Sequence, residues 1–204
     1  MSKWMSTPPG APTPPSSRVL IVYGATKTSQ VTFATNLGAL WMSRKPERAG
    51  GSGAPLLSVT VQEGDDVEVD GLAAGYDLIF AVATSGAAGG PPPRFRKLLH
   101  ALRAAPPAAL SGTQFSVLGF GTSGEALNVP RLLDRFLEAA GSRRCVRRGE
   151  SGGPTRACAE RELWCREVEN IANTKGLGVL LRMAPKKLRA GDVREGGVDE
   201  EEGE

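Results

Sequence analysis

The chain has 204 residues, 40% of them hydrophobic, 23% charged and only 5% aromatic, with 26 Gly and 15 Pro. Gly and Pro together make about a fifth of the residues, above the roughly 12% of an average domain and below a disordered polymer, so one domain of about 150 residues with loose ends is expected. No apolar run approaches the ~18 residues of a bilayer-spanning helix, which excludes that class, and the net charge of +3 hides an asymmetry between a basic body and an acidic end.

Residues 1–17 hold five prolines among Ser, Thr, Gly and Ala and are expected to form a disordered lead, because they cannot bury enough apolar area to offset the entropy of ordering. This lead has neither the apolar core of a secretory signal nor, with Lys3 alone, the charge of a transit peptide. A cytoplasmic protein is the default expectation, with an organelle left open. Residues 19–23, VLIVY, read as a first strand ending at Gly24, and the polar loop 24–30 opens a helix. Phe33, Ala34, Leu37, Leu40 and Trp41 recur at helical spacing and define its buried face to about Ser43.

A Gly-rich loop, 49–54, precedes a second strand over 56–61, and Tyr76 to Ala83 is a continuous apolar run of the kind buried on both faces of a parallel sheet. The loop 84–92 then leads to a helix carrying Phe95, Leu98, Leu99 and Leu102. A fourth strand is expected over 114–119, then the loop 120–128 and a helix with Leu132, Leu133, Phe136 and Leu137 inward. Residues 143–148 read as a fifth strand and 157–172 as a last helix with Leu163, Trp164 and Val168 as apolar contacts. Strands alternating with helices predict an α/β doubly wound sheet with right-handed crossovers over 18–172, followed by a flexible tail over 173–204. Ligands of such sheets bind outside the carboxyl ends of the strands, where the loops 24–30, 84–92 and 120–128 lie.

The first loop opens a helix, and a helix N-terminus flanked by hydroxyls is an anion site. Thr26, Thr28 and Ser29 can donate to phosphate oxygens and Lys27 adds a point charge, while Thr28 or Ser29 acting only as a helix cap stays open. Neither a Walker loop nor a G-x-G-x-x-G fingerprint is present.

Cys145, Cys158 and Cys165 leave one thiol over in any pairing and share no C-x-x-C spacing, which fits a reducing compartment; Cys158 and Cys165 read as small apolar residues of the last helix. His100 is the single histidine and sits in a helical pattern at a surface or boundary position, so neither a metal site nor a catalytic triad is expected.

Five segments in order carry a resemblance. VLIVYGATKTSQVTFATNL, YDLIFAVATSGAAGGPPPRF, LSGTQFSVLGFGTSGE, LLDRFLEAAGSRRCVRRGES and ERELWCREV are similar to the flavodoxin-like FMN domains of diflavin enzymes of the cytochrome P450 reductase type and of the wybutosine tRNA-modifying enzyme. The resemblance implies a three-layer sandwich on a five-stranded parallel sheet of order 2-1-3-4-5. It implies FMN as cofactor, with Thr26, Lys27, Thr28 and Ser29 at the phosphate and Thr84, Ser85, Gly86, Gly121, Thr122 and Ser123 flanking the ring.

The sequence departs from the family at the same loops. Ala25, Lys27 and Thr28 stand where the family has Ser, Thr and Gly, and neither 84–88 nor 121–125 contains the aromatic residue that stacks on the isoalloxazine. The family's aspartate after Gly149-Glu150 is replaced near Ser151.

Charge differs too. Asp192, Glu195, Asp199, Glu200, Glu201, Glu202 and Glu204 against Arg194 give the last fourteen residues −6, leaving +9 on residues 1–190 with Arg143, Arg144, Arg147 and Arg148 clustered by the fifth strand. The expected partner is therefore an acidic or redox protein, with RNA or a ribonucleoprotein matching the same sign, and no membrane.

Three functions remain: an FMN electron-transfer module for a separate redox partner, a degenerate fold that has lost FMN and serves as a binding or scaffold subunit of a larger assembly, with or without RNA, and an enzyme for a small phosphorylated ligand. For the last, Glu125 is the only carboxylate in the three loops.

Overall fold

The computed structural model describes residues 17–43, 57–122, 124–152 and 156–176. The expected lead and tail lie outside them, save Ser17, which begins the first strand, and 173–176, the last turn of the final helix. The strands are β1 (Ser17–Gly24), β2 (Leu57–Glu63), β3 (Leu78–Thr84), β4 (Gln114–Phe120), β5 (Arg143–Arg144) and β6 (Gly149–Ser151). The helices are α1 (Thr28–Ser43), α2 (Val69–Gly75), α3 (Arg96–Ala104), α4 (Asn128–Ala139) and α5 (Arg156–Gly176).

All the strand pairs are parallel, in the order β2-β1-β3-β4-β5, with β6 also beside β4. The order 2-1-3-4-5 is thus as expected, but the fifth strand is not continuous over 143–148. It is split, β5 pairing with the start of β4 and β6 with its end, and the half-buried Cys145 and buried Val146 lie in the chain between them. The short helix α2 has no counterpart in the sequence reading.

Period-two alternation divides the sheet's side chains between two cores. Leu20, Val22, Ile79, Ala81, Phe115 and Val117 meet α2, α3 and α4 on one face, and Val19, Ile21, Leu78, Phe80 and Val82 meet α1 and α5 on the other. Every residue of β3 is buried, the reason its sequence is continuously apolar. On the α1/α5 side Trp41, Phe80 and Trp164 form an edge-to-face chain with centroids 5.4 and 6.2 Å apart. Trp164 Nε1 donates to Ser116 Oγ at 2.8 Å. Both tryptophans are core residues and lend no ring to the loops; Trp4 lies outside the described residues.

Phe95, wholly buried, is the wedge between the strand ends and α3. A Cβ on Gly24 would fall 2.4 Å from its ring and one on Gly64 would fall 2.1 Å from it, so both positions require glycine. Beside it Asp65 Oδ1 accepts the backbone N–H of Lys97 at 2.8 Å and caps α3 across space, and Arg94, in the left-handed region at φ 58°, pairs with Glu63 and Asp66.

The arginines by the split strand are largely neutralised from within. Arg144 grips Asp134 through two hydrogen bonds of 3.0 and 2.9 Å and reaches Glu138, while Arg148 bridges Asp134 and Glu150. Arg131 closes the chain on Glu150 at 3.0 and 2.9 Å, and Arg147 pairs with Glu160.

Hydrogen bonding from Arg131 is the main cause that holds the Glu150 carboxyl below its ordinary value of 4.5, against the opposing effect of burial. A depressed carboxylate contributes stability that is present above the unfolded-state value and lost as pH falls through the lower folded one. Stability of the native chain is therefore expected to fall with acid below pH about 4.5, and Glu150→Gln to flatten that part of the curve, read by urea unfolding between pH 3 and 7. Equal slopes for the two proteins would refute the pairing.

Candidate functional site

The three loops converge at the carboxyl ends of β1, β3 and β4, around the point where strand order reverses between β1 and β3. In the first, Gly24 is buried and Thr26, Lys27, Thr28 and Ser29 are exposed along the entry to α1. The backbone N–H groups of Thr26 and Lys27 both donate to Gln30 Oε1, at 3.0 and 3.2 Å, and the Gln30 side chain is buried against them. This is one half of a capping box, with Lys27 before the first turn and the amide three residues on reaching back. Gln30 carries the loop's geometry and is missing from the sequence-based site; the x-x-Gln spacing after Lys27 is the signal that could have found it.

In the second loop Thr84 and Ser85 are buried and engaged by the neighbouring loop. Thr84 Oγ1 donates to the Phe120 carbonyl at 2.7 Å, the Ser85 N–H donates to Ala126 O at 3.0 Å, and Ser85 Oγ accepts the Val129 N–H at 3.0 Å, capping α4. Gly86 begins a tight turn through its N–H to Gly90 O at 2.7 Å. Ala88 and Gly89 in that turn are left-handed, at φ 52° and 71°, and Gly89 lies against Asn128.

In the third loop the Gly121 N–H donates to Ser151 O at 3.1 Å, and a Cβ on Gly121 would meet Ala126 at 2.3 Å. Thr122 is exposed, and Ser123 lies outside the described residues. The structure thus brings 84–86 and 121–122 together, but through bonds between the loops. From Ser29 a shallow groove of about 670 Å³ runs between α1 and α5 past Thr32, Phe33, Asn36 and Cys165, with the Arg161 guanidinium 5.8 Å from the Phe33 ring. Burial pushes the Cys165 thiol above its ordinary value, which leaves it a poor nucleophile. No group of metal-ligating side chains occurs among the described residues, and no described helix is long and apolar enough to cross a membrane.

The assembly of order 2-1-3-4-5, with α1 and α5 on one face and α2, α3 and α4 on the other, can be compared with solved proteins. The chain is similar to oxidised flavodoxin 1 from Bacillus cereus at 15% identity and TM-score 0.57, covering 76% of this chain and 98% of that one. The fold is flavodoxin-like. Flavodoxins from Streptococcus pneumonia TIGR4 (15% identity, TM-score 0.58) and Pseudomonas aeruginosa (a cysteine-to-serine mutant, 18%, 0.57) are similar over 76% of this chain and 99% of theirs. Neither a protein-family model nor a curated protein sequence matches the chain.

FMN is the group this fold implies, and several of the donors these loops could offer it are already engaged. The two N–H groups at the loop entry are already bonded to Gln30, the Ser85 hydroxyl and amide are bonded to the third loop and the start of α4, and no aromatic side chain stands on 84–90 or 121–128 to cover a ring.

Beyond the loops, the solvent face of α3 carries Arg96, Lys97, His100 and Arg103, all exposed, with no acidic residue on that helix. None of the three cations Arg96, Lys97 and Arg103 has an ion-pair partner among the described residues, in contrast to Arg144, Arg147 and Arg148. Arg135 is likewise exposed, on the neighbouring α4.

Proposed function

We propose that the chain is a flavodoxin-fold docking module, which keeps the sandwich as a rigid support and binds an acidic protein partner through the α3 face without using flavin. The observation that carries this reading is the closure of the second and third loops on each other through Ser85, with no aromatic residue on 84–90 or 121–128. Charge supports the choice of face: near the split strand Arg144, Arg147 and Arg148 are paired with Asp134, Glu138, Glu150 and Glu160, leaving Arg143 alone there, whereas Arg96, Lys97 and Arg103 of α3 have no such partner among the described residues. The second reading is an FMN electron-transfer module acting on a separate redox protein, like a detached diflavin-reductase domain. Its support is the likeness to flavodoxins and the placement of three loops at the switch point.

The test is a pair of titrations of the full chain. Flavin fluorescence with FMN is expected to show no saturable quenching up to about 100 µM, a free energy near −5.5 kcal/mol. Amide NMR with poly-glutamate is expected to shift resonances of 96–103 and to leave those of 143–148 in place. Saturable FMN binding below that concentration would establish the electron-transfer reading instead. Poly-glutamate shifts centred on 143–148 would remove the assignment to the α3 face, and stronger and localised shifts with single-stranded RNA would remove the acidic-protein assignment.

A further inference from the structure

The loop between β1 and α1 has the form of an anion nest, with successive backbone N–H groups at the positive end of a helix, yet it already holds an acceptor of its own. Gln30 Oε1 lies 3.0 Å from the Thr26 nitrogen and 3.2 Å from the Lys27 nitrogen, and its side chain is only 9% exposed. Each backbone N–H carries one hydrogen, so a phosphate oxygen at these two atoms competes with Gln30 and gains a full bond only by displacing it. The Gln30 backbone N–H donates to Lys27 O at 3.0 Å, the turn from which the side chain reaches back to the loop.

We propose that Gln30 is the specificity-determining residue of this loop: its side-chain carbonyl takes the place of a phosphate oxygen and selects against phosphorylated ligands. The loop binds phosphate only when that side chain is removed or swings out. A neutral carbonyl satisfies the two donors without bringing a charge, so the helix entry is capped and closed in one contact. Lys27, Thr28 and Ser29, exposed around the plug, then supply a cation and hydroxyls to any anion that displaces it. The inference concerns the loop's own selectivity and holds whichever partner the α3 face takes.

The experiment is a titration of the full chain with inorganic phosphate at constant ionic strength, followed by amide NMR at Thr26 and Lys27. Three proteins are compared: native, Gln30→Ala and Gln30→Glu. The alanine variant is expected to show saturable shifts at both amides with at least tenfold tighter binding than the native chain. The glutamate variant retains the plug and repels the ion, and is expected to show none. Before phosphate is added, Thr26 and Lys27 amide hydrogens are expected to exchange faster in Gln30→Ala than in the native chain.

Native protein binding phosphate at these amides as tightly as Gln30→Ala would overturn the proposal, as would an alanine variant that binds no tighter. Should Gln30→Ala lose its dispersed spectrum, Gln30→Asn, one methylene too short to reach the two amides, takes its place with the same expected gain. A failure to bind FMN by both native and variant chains would count against the electron-transfer reading alone, because the phosphate shifts are read independently of flavin.

Discussion

Phe95→Ala is expected to destabilise the chain by about 3–5 kcal/mol, the cost of emptying a fully buried aromatic site that cannot collapse. Collapse is prevented by what surrounds the ring: strand ends at Gly24 and Gly64 and the start of α3, all backbone held by their own hydrogen bonds. Thermal unfolding followed by circular dichroism is expected to show a fall in Tm of about 10 °C or more. The glycines make the test specific. Gly24→Ala in the native chain drives a methyl to within 2.4 Å of the ring, whereas in Phe95→Ala the same methyl enters the cavity. The double variant should be at least as stable as Phe95→Ala alone, and additive losses would disprove the wedge. Because Gly24 begins the first loop, Thr26 and Lys27 amide resonances are expected to broaden in Phe95→Ala.

Asp134→Ala is expected to cost about 3 kcal/mol, the lower end for breaking a buried ion pair, because the two guanidiniums left behind still reach water. The carboxylate side chain is 4% exposed and accepts two bonds from Arg144 and one from Arg148, which are 32% and 29% exposed. Hydrogen bonding to Asp134 is the main cause that raises the Arg144 pKa, so neutralising the arginine by pH is no route to relief. Urea unfolding is expected to show the loss almost undiminished in about 1 M salt, since a buried pair is screened little. Replacing the set together, Asp134→Leu with Arg144→Met and Arg148→Met, is expected to recover most of it. A triple variant as unstable as Asp134→Ala would assign the loss to packing around α4 instead.

Much of the fold was legible because its signals are local. The apolar run 78–83 marked β3 through continuous burial, Leu98, Leu99 and Leu102 marked the inner face of α3, and the three loops followed from where those elements end. The split fifth strand was not legible, since CVRR between β5 and β6 has the alternation of a strand and lacks only the partner backbone to pair with. The candidate site divides in the same way. Gln30 acts on amides three and four residues before it, a spacing visible in the sequence. Ser85 was assigned to a ligand because its reach to Val129 depends on where β3 places it. The four arginines near the fifth strand read as a basic patch because Asp134, Glu138, Glu150 and Glu160 are brought to three of them by α4, β6 and α5.

By itself, then, the sequence determined the alternation of the main strands and helices, the two-sided burial of β3 and the position of the loops at the carboxyl ends, since periodicity and turn residues act within a few positions of one another. The tertiary structure alone decided which charges remain for a partner and which hydroxyls remain for a ligand. Both depend on contacts across the sheet and between loops. A donor or a charge is available to another molecule only if no distant segment of the same chain has reached it first.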